Sequence, residues 1–341
     1  MKAGAMRHVV TPAIDGDQEM SATDRMGRVI AVEEHFMHEA LSRHLGHIVA
    51  SQPQDTRDRL FDFFGTRIAE MDAAGIDMQV LSHQSPGSQR LAADVAVEAC
   101  RGVNDALAEV IAQAPDRFAG FAMIPTIDPE AAADELQRAV EECGLKGALV
   151  HGMSHGKFLD APEFRPIFAR AERLKVPIYL HPALPDKSVT ERYYAPYDQS
   201  HPAIVRSGWG FGVETGTHAV RLILSGLFDD HPDLQIVLGH LGEGIPFFLA
   251  RIDESLSRSG NAPVRFAEVL RRNFHVTTSG FFSDAALRCC IEEIGVDRIL
   301  FAVDWPYVTN TDATDWIRKV ELGDHDRRAI LHGNAERLLG V

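Results

Sequence analysis

Several residues that could bind a metal ion stand at the ends of short apolar runs in this sequence. The runs end at Glu33 and His35, at His181 and at Asp304. Carboxylate and imidazole groups are common ligands of divalent metals, and a strand end holds a ligand rigidly. In a parallel barrel the carboxyl ends of all strands open on one face, so ligands that are distant in sequence converge. The pattern predicts a divalent-metal site and makes the protein an enzyme candidate.

Each of these residues also has an ordinary structural interpretation. Side chains alternate along a strand, so Glu33 and His35 point to one side and Glu34 points outward, but polar residues commonly end a strand. His181 alone could be a hydrogen-bonded core histidine, and Asp304 could cap a helix. Because potential ligands end four of the eight predicted strands once His240 is included, we favour the joint interpretation as a metal site.

A second pair, His240 and Glu243, follows another apolar run. A separation of three residues brings the carboxylate within reach of the imidazole, which fixes the histidine tautomer and raises its basicity. This arrangement suits proton transfer. His83 and His151 lie at or just past strand ends and could line the same pocket.

Eight short apolar segments alternate with longer amphipathic ones. This alternation predicts an α/β fold with a parallel sheet, and eight repeats favour a closed (β/α)8 TIM barrel over an open doubly wound sheet. No G-x-G-x-x-G motif follows the first strand, which counts against a dinucleotide-binding fold. We predict strands at residues 29–33, 78–82, 118–124, 147–151, 177–181, 235–240, 274–279 and 299–304. We predict helices at residues 60–74, 91–114, 129–143, 162–174, 216–228, 245–257, 283–294 and 324–339.

Apart from a linker predicted at residues 41–58, before the first long helix, two segments do not fit the repeat of strands and helices. Residues 1–27 show little periodicity and are expected to form a flexible extension or an arm that docks on a neighbouring subunit, which leaves residues 28–341 as a single domain. A long loop at residues 185–215 is inserted after the fifth predicted strand. Long loops at this end of a barrel often serve as lids or subunit contacts.

Composition excludes several other classes of function. The 341 residues carry a net charge of -15, which argues against a nucleic-acid partner. No apolar run approaches the roughly twenty residues that span a bilayer, and residues 1–27 lack the apolar core of a signal peptide, so a cytoplasmic location and no membrane partner are expected. The 4 cysteines lack CxxC spacing and are expected to be reduced.

The motifs around these residues resemble the amidohydrolase superfamily. Within it, they resemble the amidohydrolase 2 branch of decarboxylases, typified by γ-resorcylate decarboxylase and 2,3-dihydroxybenzoate decarboxylase. The resemblance covers residues 29–341 and is carried by Ala-Val-Glu-Glu-His-Phe (31–36), Tyr-Leu-His-Pro (179–182), Leu-Gly-His-Leu-Gly-Glu-Gly-Ile-Pro (238–246), Arg-Ile-Asp (251–253) and Ile-Leu-Phe-Ala-Val-Asp-Trp-Pro (299–306).

The resemblance implies a role for each matched residue. His240 and Glu243 match the active-site histidine and its carboxylate partner, and Arg251 matches a substrate-binding arginine, although a salt bridge would also explain it. His151 and Tyr307 depart from the pattern of relatives and are expected to face the substrate. The ligands of one divalent ion would be Glu33, His35, His181 and Asp304. Two imidazoles and two carboxylates tolerate Zn2+ but favour Mn2+.

The reaction that the resemblance implies is non-oxidative decarboxylation of an ortho-hydroxybenzoate, which gives carbon dioxide and a phenol. Asp304 would deliver the proton to the ring carbon, with His240 and Glu243 as partners. Hydrolysis or hydration of a lactone, amide or unsaturated acid in the same superfamily remains open, as does a catalytically inactive binding module. Relatives commonly form homodimers or homotetramers, so self-association is expected.

Overall fold

The strands that carry the predicted ligands form two parallel sheets. The computed structural model describes residues 27–341, and within them each strand pairs with the next in chain order, as β1-β2-β3 and as β4-β5-β6-β7-β8. The strands are β1 (Ile30–Phe36), β2 (Met78–His83), β3 (Phe118–Gly120), β4 (Ala148–His151), β5 (Ile178–His181), β6 (Ile236–Leu238), β7 (Phe274–Thr277) and β8 (Ile299–Leu300). All eight lie where the sequence predicts them, but β3, β6, β7 and β8 end earlier than predicted.

Backbone hydrogen bonds also link the two sheets to each other. Leu149 of β4 donates its N–H to the carbonyl of Ala122, just past β3, at 3.0 Å. At the other junction, Val32 of β1 donates to the carbonyl of Phe301, just past β8, at 3.1 Å. The first and last strands of the described chain therefore lie side by side.

Helices connect the strands along the chain. Their bounds are α1 (Glu39–Ser42), α2 (Gly46–Ser51), α3 (Gln54–Phe61), α4 (Thr66–Ala74), α5 (Ala93–Gln113), α6 (Pro129–Glu141), α7 (Arg165–Leu174), α8 (Lys187–Val189), α9 (Gly210–Leu224), α10 (Leu227–Asp230), α11 (Ile245–Leu256), α12 (Phe266–Asn273), α13 (Asp284–Ile294), α14 (Asn310–Lys319), α15 (Asp324–Arg328) and α16 (Asn334–Leu339). Five-residue π-helical turns cover Thr190–Tyr194 and Ala329–Gly333.

Several helices differ from the prediction; the one predicted at residues 324–339, for example, is α15, a π-helical turn and α16. The sequence pattern does not predict α12 or α14, because 8 and 10 residues are short for a periodicity that is read over 11 to 18. The helix predicted at residues 60–74 is two helices, α3 and α4. Asp62 separates them, since its carboxylate accepts the N–H groups of Gly65 and Arg67, both at 2.9 Å.

Alternate residues of the strands form an apolar cluster of their own. Its members are buried and include Ile30, Val32, Val80, Phe121, Leu149, Tyr179, Val237 and Leu300. The other set of strand residues packs with the helices in a larger cluster. Strands that are buried on both faces read as nearly continuous apolar runs, which is why they are visible in the sequence. Most polar side chains of the strands lie toward their carboxyl ends, with Gln79 of β2 and His275 of β7 as exceptions.

The two irregular segments have different outcomes. The predicted extension lies outside the described residues except for Gly27. The predicted loop at residues 185–215 instead contains α8, a π-helical turn, a short 3-10 turn at Pro202–Val205 and the start of α9. None of the helices within residues 27–341 is long and apolar enough to cross a membrane. The 4 cysteines are free thiols.

Candidate metal centre

The four predicted ligands come together at the carboxyl ends of the strands. Glu33 and His35 lie on β1, His181 ends β5, and Asp304 follows β8. One donor atom from each lies within 4.8 Å of the others. His35 Nε2 is 3.2 Å from Asp304 Oδ1, and His181 Nε2 is 3.3 Å from Glu33 Oε1. Residues far apart in the sequence thus converge on one point, as the strand-end pattern predicts.

Two of the donor atoms are buried without a hydrogen bond. Within residues 27–341, neither Glu33 Oε1 nor His35 Nε2 has a hydrogen-bond partner. A buried polar atom left unpaired costs about 1–3 kcal/mol, so such atoms are expected to have a ligand. A set of two imidazole nitrogens and two carboxylates suits a divalent ion of the Mn2+ or Zn2+ type. The residues present therefore fit the predicted metal.

The two ligand histidines are oriented by their other ring nitrogens. His35 Nδ1 lies 3.2 Å from the hydroxyl of Ser82. His181 Nδ1 lies 2.7 Å from the carbonyl oxygen of Pro182. Because a carbonyl oxygen only accepts, Nδ1 of His181 carries the proton, and the lone pair of Nε2 faces the cluster.

His151 lies behind His181. Its Nδ1 is 3.0 Å from Nδ1 of His181, and its Nε2 is 2.9 Å from the carbonyl oxygen of His83. Burial is the main reason why the pKa of His151 lies well below its usual range, and the nearby His181 is the second. The ring is therefore neutral. The structure thus brings His151 into contact with a predicted ligand, and its predicted contact with substrate stays a prediction.

Glu33 is held by two hydroxyl groups that the sequence analysis missed. Tyr179 donates a hydrogen bond to Glu33 Oε2, and the hydroxyl of Thr277 lies 3.2 Å from the same oxygen. Burial, with the adjacent carboxylate, raises the pKa of Tyr179 well above its usual range. A signal was available, because Tyr179 stands two residues before His181 and therefore points to the same side of β5.

Glu34 points away from the ligands but is buried. Its carboxylate accepts the N–H groups of Val303 at 2.9 Å and Trp305 at 3.0 Å, on either side of Asp304. Burial raises the pKa of Glu34 to about 8. Glu34 thus points away from the ligands, as the sequence predicts. Its two hydrogen bonds attach the segment that carries Asp304 to β1.

His240 and Glu243 form the predicted pair, with His240 Nδ1 2.7 Å from Glu243 Oε1. Both residues have left-handed backbone, with φ values of 49° and 53°. Burial opposes a charge on the ring, but the Glu243 carboxylate outweighs burial and raises the pKa of His240 to about 10. The imidazole therefore carries a proton at neutral pH and can donate it.

Asp304 also has a left-handed backbone, with φ 78°. Its N–H donates to the carbonyl of Glu33 at 3.1 Å, and its own carbonyl accepts the N–H of Tyr307 at 2.8 Å. Burial raises the pKa of Asp304 to about 7, against the lowering effect of the His240 charge. A Cβ atom on Gly280 would lie 3.2 Å from Asp304 Oδ2 and 3.5 Å from His240 Cδ2. Because glycine has no Cβ, both side chains can lie close to the backbone at residue 280.

Besides His151, two residues predicted to contact substrate lie in different surroundings. The ring of Tyr307 is 5.9 Å from that of His35, its hydroxyl donates to Gln84, and 44% of the residue is exposed. Tyr307 thus lies beside the ligands on an accessible side. Arg251 is exposed on α11 and has no polar partner within residues 27–341. Its predicted role stays a prediction.

Comparisons with known proteins agree with this geometry. A family model described as amidohydrolase matches residues 22–341. A γ-resorcylate decarboxylase from Rhizobium sp. (strain MTP-10005) is 41% identical over 322 residues, which is 91% of this chain and 97% of that protein.

Solved structures are similar over the same range. A 2,6-dihydroxybenzoate decarboxylase complexed with 2,6-dihydroxybenzoate has a TM-score of 0.83 and 40% identity, with 92% of this chain and 98% of that chain covered. A dihydroxybenzoic acid decarboxylase from Polaromonas sp. JS666, with bound manganese and the inhibitor 2-nitroresorcinol, has a TM-score of 0.84 and 38% identity, with 92% and 97% covered.

The fold and the site together define a class of protein. Parallel strands alternate with helices, and two histidines and two carboxylates meet at the strand ends, as expected of a metal-dependent α/β enzyme. The chain belongs to the amidohydrolase family. The family resemblance of its motifs is thereby confirmed.

Proposed function

We propose that this protein is a metal-dependent carboxy-lyase that removes the carboxylate of an ortho-hydroxybenzoate, with 2,6-dihydroxybenzoate as the first substrate to test. The observation that carries the proposal is the cluster of Glu33, His35, His181 and Asp304, with a protonated His240 beside it. The comparisons support the same reaction class, since the three relatives described above are decarboxylases and one of them holds manganese.

The reaction replaces a carbon–carbon bond with a carbon–hydrogen bond. A proton enters at the ring carbon that bears the carboxylate, and carbon dioxide leaves as the electron pair of the broken bond returns to the ring. When bound at this site, Mn2+, or Zn2+ in its place, would act as a Lewis acid that holds the carboxylate and the neighbouring phenolate oxygen. The protein residues must then orient the ring, stabilise charge and supply the proton.

Asp304 is our candidate for the proton donor. Burial raises the pKa of Asp304 to about 7 when no metal ion is bound. One of its oxygens would bind the ion, and the other is our candidate for the atom that carries the proton. The positive charge of His240, maintained by Glu243, would stabilise the phenolate and return a proton to Asp304. Tyr307 would contact the ring from the accessible side, and Arg251 and His151 are further candidates for substrate binding.

The test is a substrate panel on the purified protein after loading with Mn2+. The panel contains 2,6-dihydroxybenzoate, 2,3-dihydroxybenzoate and salicylate, and the ultraviolet absorbance of the acid and the release of carbon dioxide are both followed. We expect equimolar carbon dioxide from at least one of these acids, with loss of activity on chelation. A protein that holds Mn2+ but releases no carbon dioxide from any of them would refute the proposal. Consumption of water with a lactone or amide would then favour the hydrolase alternative.

We also propose that the two sheets close into one (β/α)8 barrel within a single domain at residues 28–341. The hydrogen bonds at both junctions, Leu149 to Ala122 and Val32 to Phe301, support closure, because a closed barrel leaves no unpaired sheet edge. A homodimer or homotetramer and a cytoplasmic location stay predictions.

A further inference from the structure

The Glu33 carboxylate has two oxygens in very different surroundings. Oε2 accepts a hydrogen bond from Tyr179 and lies 3.2 Å from the hydroxyl of Thr277. Oε1 has no hydrogen-bond partner within residues 27–341 and lies 3.3 Å from Nε2 of His181, on the side of the other ligands. One oxygen is thus engaged by hydroxyl groups, while the other is free for a metal ion.

The protons in this group can be assigned from the partners. Tyr179 donates its hydroxyl proton to Glu33 Oε2, because a carboxylate that serves as a metal ligand accepts hydrogen bonds. The oxygen of Thr277 lies 3.0 Å from that of Tyr179 and accepts the N–H of Ser279 at 3.4 Å. The Thr277 hydroxyl can therefore donate a hydrogen bond either to Glu33 Oε2 or to the Tyr179 oxygen. In both arrangements Oε2 accepts at least the hydrogen bond from Tyr179.

The surroundings of the carboxylate are closed to solvent. Glu33, Tyr179 and Thr277 are all 0% exposed. A Cβ atom on Gly239 would lie 3.0 Å from Glu33 Oε2 and 3.4 Å from Oε1, so the backbone just past β6 approaches the carboxylate through a residue that lacks a side chain. Water therefore cannot readily replace the two hydroxyl groups as a partner of Oε2.

We propose that Tyr179 and Thr277 are positioning residues that keep Glu33 a ligand through one oxygen only. This inference rests on the proposed function for its consequence, which concerns the substrate. An octahedral Mn2+ ion has six coordination positions. Four single-atom ligands, Glu33, His35, His181 and Asp304, leave two positions, which is the number that a chelating carboxylate and phenolate need.

Binding of Glu33 through both oxygens would leave one position. An ortho-hydroxybenzoate could then no longer chelate. Without the two hydroxyl groups, the buried Oε2 would have no partner other than the metal, and rotation of the carboxylate toward the ion would follow. The hydroxyl pair thus preserves the coordination position that the second substrate oxygen would use.

The experiment compares Tyr179→Phe, Thr277→Val and the double variant with the wild-type protein. Thr278→Val is the matched control, because its equally buried hydroxyl bonds the backbone of Ala302 at 2.9 and 3.0 Å and has no contact with Glu33. Each protein is loaded with Mn2+ alone. Proton relaxation and electron–nuclear double resonance then count the water molecules on the bound ion, and calorimetry gives its affinity.

We expect two metal-bound water molecules in the wild-type protein and in Thr278→Val, and one in the double variant. Affinity for 2-nitroresorcinol, used as a non-reacting chelator, should fall about tenfold to hundredfold in the double variant. KM for 2,6-dihydroxybenzoate should rise by a similar factor. A loss of structure alone would lower the melting temperature of Thr278→Val as well, but it would not change the water count.

The proposal is overturned if the double variant keeps two water molecules and wild-type affinity for 2-nitroresorcinol, or if the wild-type protein holds only one. If the double variant does not fold, the number of metal-bound water molecules in Tyr179→Phe is the test: one supports the proposal, and two overturns it. The count is made without substrate, so it separates this inference from the proposed function. A change from two water molecules to one in a protein that decarboxylates nothing supports the role of the hydroxyl pair and refutes only the substrate.

Discussion

The two sides of the candidate metal centre are built in different ways. On one side, Glu33, His35 and His181 lie on β1 and β5, whose backbone is hydrogen-bonded to neighbouring strands, with one shift of register in β1 between Ala31 and Glu34. On the other side, His240 and Asp304 lie beyond β6 and β8, on left-handed backbone with φ of 49° and 78°. The first side is fixed by sheet pairing and the second by turns.

The difference corresponds to different chemical tasks. Metal ligands must be held at constant distances, and strand backbone provides this without strain. The groups that we assign to proton transfer must approach one another closely, and the left-handed turns orient their side chains toward each other. Such backbone costs roughly 1–2 kcal/mol per residue other than glycine, so the surrounding structure must maintain it.

Local contacts around the turns supply that support. The thiol of Cys290 donates to the carbonyl of Leu241 at 3.4 Å, next to His240. Glu34 binds the backbone on both sides of Asp304. Glu34 therefore attaches the turn that carries Asp304 to β1, which carries Glu33 and His35. Asp304 is both a predicted metal ligand and part of a left-handed turn.

The sharpest test of this division is Asp304→Asn. The amide cannot deliver a proton, so we expect turnover of the identified substrate to fall about 10²–10⁴-fold. The three strand-held residues should still bind Mn2+, as measured by metal content after gel filtration. Asp324→Asn, an exposed residue at the start of α15, is the control and should keep full activity. A turnover rate within tenfold of the wild-type value would show that Asp304 is not the proton donor.

A second test acts on the loop side alone, through Glu243→Gln. Loss of the carboxylate charge should lower the pKa of His240 by about one to three units, from about 10. Because the proposed role needs protonated His240, the decline of kcat/KM at high pH should move to lower pH by the same amount. Metal affinity should change little. Glu254→Gln, on the exposed side of α11, should leave the pH profile unchanged, and an identical profile in Glu243→Gln would contradict the assignment.

The backbone of the turn gives the third test. Gly242 and Gly244 have φ of 77° and 79°, but a Cβ on Gly242 would lie 2.9 Å from Val276, whereas nothing lies within 4 Å of one on Gly244. Gly244→Ala should lower the free energy of unfolding by about 1–2 kcal/mol, the cost of left-handed backbone. Gly242→Ala should lower it by about 1–3 kcal/mol more. Urea denaturation measures both.

Activity separates the two glycine variants further. Gly242→Ala should displace His240 and Glu243 and reduce kcat several-fold, while Gly244→Ala should retain activity at temperatures where it is folded. Equal destabilisation and equal activity of the two variants would show that crowding against Val276 does not hold the turn.

Much of the strand side could be predicted from the sequence. The alternation on β1 places Glu33 and His35 together, and apolar runs that are buried on both faces mark the eight strands. These are local properties of the chain. By contrast, α12 and α14 were missed because they are short. The left-handed backbone at His240 and Asp304 was missed because His and Asp adopt it more often than most residues but still only in a minority of positions.

The amino-acid sequence was sufficient to locate the polar residues at or just past the strand ends and, through motifs that span residues 31–306, to identify the family. The contacts that support those residues became visible only in the folded chain. Tyr179 and Thr277 meet at Glu33 from β5 and β7, Glu34 attaches the Asp304 turn, and His151 stands behind His181. The physical reason is that strand alternation is set by neighbouring residues in the chain, whereas a hydrogen bond between strands depends on which strands become neighbours in space.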